Sequence, residues 1–540
     1  MSGNRPNVIV ILVDDMGFAD MGLMGSEIQT PNIDKLAKNG VTFSSMYNCA
    51  RCCPTRASLL TGLYPHKAGI GFMAVDFGLP EYQGKLRNDA VTIAEAMREN
   101  GYRTLMSGKW HVGGDFEPRD ADNWRVGDVD HPSPRQRGFD RFFGMVDGAM
   151  SFFHPHHLME DDSRIEITSD DFYLTDAISD KACDMIEDSV EDEKPFFMYL
   201  AYNAPHWPLH APAEDIARYD MVYRNGWDKI RTARHESMIA LGALQNPWEI
   251  SPRDANARPW EHTENQDWEA DRMAVYAAMV DRMDAGVGRV VDCLEKQGVK
   301  DNTLILFLSD NGGCAELLAE DGWCKSFPDV LPDGREINSG NRPSLRPGSA
   351  DTFMSYDLPW ANVSNAPFRL YKHWVHEGGI STPMVAHWPD GIETRGFAHT
   401  AWHVVDILPT ILEITGTPYP SEYGGHPIQD LDGESFAGVF KKEHAQRERP
   451  IFWEHEGNSA LRIGDWKLVR KHGEDWELHN MIEDRTELND LSTRHATMRE
   501  QMIKDYGGWA HNLGVRPWED VVQMAEARYG RDTDLNGNTK

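Results

Sequence analysis

Cysteine is scarce. The seven in 540 residues (Cys49, Cys52, Cys53, Cys183, Cys293, Cys314 and Cys324) are too few and too scattered to frame a fold with disulfides. Cys314 and Cys324 lie close enough in sequence to pair, but two free thiols are expected there. Long apolar runs are missing as well. The stretch 8–13 falls far short of the roughly 20 residues that cross a bilayer, so no membrane partner is expected. Met1-Ser-Gly-Asn-Arg-Pro runs straight into that stretch without a signal-peptide pattern. As the sequence stands this predicts a cytoplasmic protein, or a periplasmic or secreted one if a leader has been removed. Basic residues are outnumbered, 54 Lys and Arg against 86 Asp and Glu, for a net charge of −32. That balance excludes nucleic acid as a partner, because neutralising phosphates takes a basic surface. An anionic substrate would need a local cationic pocket working against the global field.

What is present supports a large core: 40% of residues are hydrophobic and 26% charged. Short apolar runs alternate with helical patterns ahead of residue 417, predicting an α/β fold with a large, mainly parallel sheet flanked by helices. Strands are expected at 7–13, 102–106, 195–202 and 303–309, and helices at 32–39, 91–100, 281–297 and 406–415. Residues 417–433, rich in Pro, Gly and Tyr, read as a linker. Beyond it, alternating segments at 450–454, 460–463, 466–470 and 476–479 predict an antiparallel sheet, followed by a helix around 495–506. The chain is thus expected to divide into a large unit, 1–439 including the linker, and a smaller α+β unit, 440–540. The irregular stretches 113–134 and 316–367 read as functional rims, with 149–165 a further contributor. Within the last, 152–157 (Phe-Phe-His-Pro-His-His) reads as an exposed aromatic loop.

The polar residues fall where such a fold binds ligands, at the carboxyl ends of strands. Asp14 and Asp15 follow the first strand; Asp310 and Asn311 follow the one ending at Ser309. Lys109 and His111 lie just past the second strand, and His206 past the third. Asp14, Asp15, Asp310 and Asn311 offer only oxygen donors, which suit Ca²⁺, with Mg²⁺ the alternative, and do not suit zinc. Such an ion would also supply the positive charge that the acidic chain lacks.

Residues 48–62 carry Cys52-x-Pro54-x-Arg56 followed by Leu-Leu-Thr61-Gly62. Pro54 suits the first turn of a helix, which puts Cys52 at its positive end and Arg56 one turn on. This segment closely resembles the signature of the type I sulfatases, formylglycine-dependent members of the alkaline phosphatase superfamily. Residues 7–17, 108–111, 309–312 and 377–380 resemble further motifs of that family. The Leu-Tyr371-Lys372 run and Trp453-Glu-His455-Glu456-Gly457 are similar to its bacterial arylsulfatase branch.

The resemblance implies an alkaline-phosphatase-like fold and hydrolysis of a small-molecule or carbohydrate sulfate ester. It implies that a maturation enzyme oxidises Cys52 to formylglycine, whose hydrate attacks sulfur and also joins Asp14, Asp15, Asp310 and Asn311 around the metal. Arg56 and Lys109 would hold that hydrate. His206, with Lys372 on the leaving-group side, would protonate the departing oxygen, and His111 would take the proton that expels sulfate. Cys53 and Thr55 occupy positions that bear on maturation. His455 is a further candidate for the site mouth. Two rival expectations are a phosphonate monoester or phosphodiester hydrolase of the same superfamily and a sulfatase-like binding protein without catalysis.

Overall fold

The computed structural model describes residues 5–529 except 115–123, 168, 170, 321–325, 327 and 444. Cys324 and parts of the stretches 113–134 and 316–367 lie outside the described residues. A ten-stranded mixed sheet forms the centre. Its strands are β1 (Asn7–Val13), β2 (Val41–Phe43), β3 (Arg103–Gly108), β4 (Arg141–Met145), β5 (Leu158–Glu160), β6 (Ser163–Ile165), β7 (Phe196–Ala201), β8 (Thr303–Ser309), β9 (Met384–His387) and β10 (Gly396–Ala398). The spatial order is β10-β2-β9-β8-β1-β7-β3-β4-β5-β6. The run β8-β1-β7-β3-β4 is parallel, whereas β9 runs antiparallel to both β8 and β2, and β5 runs antiparallel to both β4 and β6.

β1, β7 and β8 are buried along their whole length, which is why their sequences are continuous rather than alternating apolar runs. Helices cover both faces. On one side lie α1 (Pro31–Lys38), α4 (Leu174–Glu191) and α5 (Gln266–Lys296); on the other lie α2 (Cys52–Thr61), α3 (Ile93–Glu99) and α6 (Ile407–Thr415). α3 starts with a reciprocal cap in which the Thr92 hydroxyl accepts from the Glu95 amide and the Glu95 carboxylate from the Thr92 amide.

Two expectations need correction. The helix expected at 281–297 begins at Gln266. Residues 272–281 of this helix are buried on every side, so that part carries no amphipathic period to mark it. The loop 152–157 is mostly packed inside: Phe152 and His157 are fully buried, and the Phe152 ring lies 5.8 Å from Tyr173 and 6.2 Å from His210. The hairpin β5–β6 that follows extends the sheet edge.

Toward the C-terminus an antiparallel sheet of β11 (Ile451–His455), β12 (Asn458–Ile463), β13 (Trp466–Arg470) and β14 (Glu477–Asn480) packs under α7 (Ala496–Asn512). Its other face shares a core with Tyr47, Val375 and Ile380. A buried ion network reinforces that junction. Glu377 accepts from Lys467 (2.8 Å), Arg485 (2.8 Å) and Tyr47 (2.9 Å), and Lys467 also pairs with Glu487 at 2.7 Å. Among the described residues, no helix is long and apolar enough to cross a membrane.

Candidate active site

The four residue groups singled out in the sequence sit at the ends of four adjacent parallel strands, in the order β8, β1, β7, β3. Their carboxyl ends share one edge of the sheet, so Asp310 and Asn311, Asp14 and Asp15, His206, and Lys109 with His111 converge without any long excursion of the chain. Gly108 makes this possible on the β3 side. Its φ is +119°, and a Cβ there would overlap the Ala201 carbonyl of β7, so only glycine lets the strand turn into Lys109. Cys52 opens α2, which is buried from end to end and stops at Gly62 in the left-handed conformation. Arg56 follows one helical turn later on the side facing the sheet. The Thr55 hydroxyl accepts from the Cys49 amide at 2.9 Å and so fastens the chain ahead of the helix.

All ten predicted site residues are buried: Cys52, Arg56, Lys109, His111, His206, Lys372, Asp14, Asp15, Asp310 and Asn311. Arg56 donates to Asp310 at 2.7 Å, to the Lys109 carbonyl at 3.1 Å and to the Tyr199 hydroxyl at 3.4 Å, and it lies 3.6 Å from Asp14. Lys109 Nζ donates to Asp14 Oδ2 at 2.5 Å. Lys372 Nζ donates to Asp15 Oδ2 at 2.9 Å and lies 3.3 Å from His206 Nε2, while Asn311 donates to Asp15 Oδ1 at 2.7 Å. His206 Nδ1 sits 2.7 Å from the Trp207 carbonyl, which accepts its hydrogen, so Nε2 is left as the acceptor facing Lys372. Both ring nitrogens of His111 lie within 3.5 Å of Cys53 Sγ.

Charge explains the titration of the cluster. Burial alone would raise the Asp14 carboxyl, but Lys109, His206 and Arg56 hold it down at about 2. Asp310 goes the other way, pushed well above the usual carboxylate range by burial and by the facing Asp14 carboxylate. The Cys52 thiol is held well below its ordinary value by a hydrogen bond from Cys53, with Lys109 and Lys372 adding to the effect against burial. Burial lowers His206 and keeps its imidazole neutral. Lys372 stays cationic despite its burial because Asp15 faces it.

The donor set fits a cation. Asp14 Oδ1 and Asn311 Oδ1 are buried and accept no hydrogen bond among the described residues, an arrangement that costs free energy unless something positive meets them. Arg56, Lys109 and Lys372 face the buried Asp14, Asp15 and Asp310, and a cation bound there would favour the ionised form of Asp310, which its buried setting otherwise opposes. Hard, oxygen-only ligation points to Ca²⁺ or Mg²⁺.

Several residues of the site escaped the sequence. Glu316 bridges Arg51 (2.9 Å) and the Trp207 indole (2.8 Å), and Lys372 and Arg51 hold its carboxyl below the usual range against burial. Asn203 buries an unpaired Oδ1 beside the same strand end. Neither stands in a motif; only Asn203, directly after β7, had a position that could have signalled it. His455 is buried, stacks on Phe72 at 6.1 Å and pairs with Glu456, and it makes none of the reacting cluster's contacts.

Comparison with known proteins agrees with this arrangement. The sequence model of the family "Sulfatase" matches residues 6–417. This chain belongs to the sulfatase family. A second model, "N-sulphoglucosamine sulphohydrolase, C-terminal", matches residues 368–506 of the sulfatase. An uncharacterized sulfatase of Schizosaccharomyces pombe is 33% identical over 95% of this chain and 94% of its own. An arylsulfatase of Klebsiella aerogenes is 32% identical over 83% of this chain and 94% of its own. The crystal structure of Ps i-CgsB in complex with k-i-k-neocarrahexaose superposes with a TM-score of 0.66 and 28% identity, covering 94% and 93% of the two chains. The fold is alkaline-phosphatase-like, and the chain is a sulfate ester hydrolase, as the family and its named relatives establish. Sulfatases of this family generally use formylglycine and a divalent metal.

Proposed function

We propose that the sulfatase hydrolyses aryl or carbohydrate sulfate esters with a formylglycine that a maturation enzyme makes from Cys52, beside a Ca²⁺ held by Asp14, Asp15, Asp310 and Asn311. The observation that carries this reading is the pair of buried oxygens, Asp14 Oδ1 and Asn311 Oδ1, that accept no hydrogen bond among the described residues, at strand ends facing the helix that Cys52 opens. Mg²⁺ is the alternative ion. When present, the ion and the hydrated aldehyde at Cys52 supply a Lewis acid and an oxygen nucleophile. In this reading the converted side chain, in the place of the Cys52 thiol, also adds an oxygen to the metal set.

The chain's own residues do the rest. Arg56 and Lys109 are fixed by Asp310 and Asp14, and they present fixed positive charge where negative charge develops. Lys372 and His206 act as a pair on the leaving-group side. Because Nδ1 is committed to the Trp207 carbonyl, the proton that reaches the departing oxygen leaves from His206 Nε2, with Lys372 Nζ 3.3 Å away as fixed positive charge beside the leaving group. His111, within hydrogen-bonding reach of Cys52, takes the proton from the converted side chain that releases sulfate. Arg51, Glu316 and Trp207 form the wall that contacts the alcohol portion of the ester. Residues 440–540 are read as a separate smaller unit docked on the catalytic unit 1–439.

The phosphonate or phosphodiester reading is not favoured, since the two relatives above 30% identity are named as a sulfatase and an arylsulfatase. Nor does loss of catalysis fit a pocket in which every reacting side chain is present. Turnover of an aryl sulfate and of an aryl phosphonate monoester, compared side by side, tests the proposal. Preference for the sulfate is expected; a dominant phosphonatase activity would overturn it.

A further inference from the structure

A second cluster of metal-ligating side chains lies behind the reacting groups and takes no part in the chemistry above. Three residues form it: His373, immediately after Lys372, and His455 and Glu456 at the end of β11. His373 Nδ1 is 2.8 Å from Glu456 Oε2, and His455 Nε2 is 3.3 Å from Glu456 Oε1. The three ligand atoms all lie within 4.8 Å of one another. His455 Nε2 is buried and makes no hydrogen bond among the described residues, although it points at a carboxylate. His373 and Glu456 both adopt left-handed backbone, with φ of +88° and +51°, which side-chain-bearing residues hold only where the surroundings enforce it.

We propose that His373, His455 and Glu456 bind a second metal ion, a borderline transition cation of the Zn²⁺ type. Two imidazole nitrogens and one carboxylate are the donor set such ions prefer, with a fourth position left for water. The oxygen set of the catalytic pocket favours a different class of ion, and Ca²⁺ bound there also occupies Asp14 and Asp15, which with His206 form another group that could hold a metal. Access decides between an ion and a larger ligand. The side chains of His455 and Glu456 are 1% and 4% exposed and that of His373 is 21% exposed, so the cluster meets solvent at His373, which suits a single ion better than a sugar ring. Arg51 also faces Glu456, but its charge is already engaged by Glu316. The bound ion ties the Lys372 segment to the small sheet. The same segment is held on its other side by the His373 amide, which donates to the Ala50 carbonyl at 2.8 Å.

The test is Zn²⁺ binding to the full chain carrying Cys52→Ala, with Ca²⁺ saturating the hard-cation site. That background breaks up the Cys52–Cys53–His111 group, which could itself hold a soft metal. Calorimetric titration is expected to show one Zn²⁺ per chain. Adding His455→Ala or Glu456→Gln should weaken it by at least about 100-fold, more than outer-sphere changes usually cost. Near-UV circular dichroism checks folding, and His373→Ala, which alters the most exposed ligand, serves if either buried variant fails to fold. Absence of Zn²⁺ binding in the Cys52→Ala parent, or unchanged affinity in the folded ligand variants, overturns the proposal.

Discussion

Replacing Lys109 by methionine tests the electrostatic design of the site most sharply. Lys109 and Asp14 are both fully buried and 2.5 Å apart, so the substitution leaves a carboxylate whose nearest remaining cation, Arg56, is 3.6 Å away and already shared with Asp310. Breaking a buried pair by removing one partner costs about 3–5 kcal/mol of stability. A bound divalent cation offsets part of this, because the pocket has lost a positive charge and attracts the ion more strongly. The same loss falls harder on the reaction, where Lys109 faces the charge that develops at Cys52. Removing one such preorganised group typically costs about 100- to 1000-fold in kcat. The assay is kcat and KM for an aryl sulfate at saturating Ca²⁺, alongside thermal denaturation with and without Ca²⁺. We expect a lowered kcat, a KM close to wild type, and a Ca²⁺-dependent gain in Tm larger than that of wild type. A folded Lys109→Met enzyme with kcat within about threefold of wild type, under 1 kcal/mol of barrier, would refute the assigned role.

Three further outcomes follow from the same geometry. His206→Ala should cost about 100- to 10,000-fold with an alkyl sulfate but much less with p-nitrophenyl sulfate, whose leaving oxygen needs no proton; equal losses for both would end the proton-transfer assignment. Exhaustive chelation should abolish turnover and Ca²⁺ should restore it, whereas full activity in protein shown by elemental analysis to be metal-free would contradict the cation site. His479 lies between Glu477 (3.1 Å) and Asp484 (3.7 Å); burial opposes its charge, but the nearby Asp484 carboxylate and the hydrogen bond to Glu477 raise its pKa from 6.5 to about 9. A raised histidine stabilises fully below the unfolded value and loses that contribution as pH climbs to the folded one, so His479→Gln should be less stable by about 3 kcal/mol near pH 6 with the gap closing by pH 9. A gap that does not change with pH would show that the histidine is held by packing instead.

Much of the site was legible in the sequence because its carriers are local. β1, β7 and β8 announce themselves as continuous apolar runs, and the residues after them land at the sheet's edge by topology alone. Cys52, Pro54 and Arg56 fall within one helical turn. What was not legible depends on contacts between residues far apart in the chain. Glu316 opens a stretch read as a functional rim, but its own role comes from Arg51 and Trp207, more than 100 residues away, which no local pattern shows. The Glu377 network joins β13 and the segment around Arg485 to the catalytic part, so that residue ties two sheets together. Residues 272–281 of α5 were hidden for a different reason: a helical stretch buried on all sides has no polar stripe to betray its period. His373, His455 and Glu456 share that invisibility, since only the docking of β11 brings them together.

The central claim, that the nucleophile is made from Cys52, is tested most directly by the mass of the tryptic peptide 52–56. The protein should be co-expressed with a maturation system and assayed on an aryl sulfate in the same preparation. The account predicts loss of the thiol sulfur at Cys52, with activity proportional to the converted fraction. Protein that hydrolyses the sulfate ester while Cys52 remains a thiol throughout would contradict it.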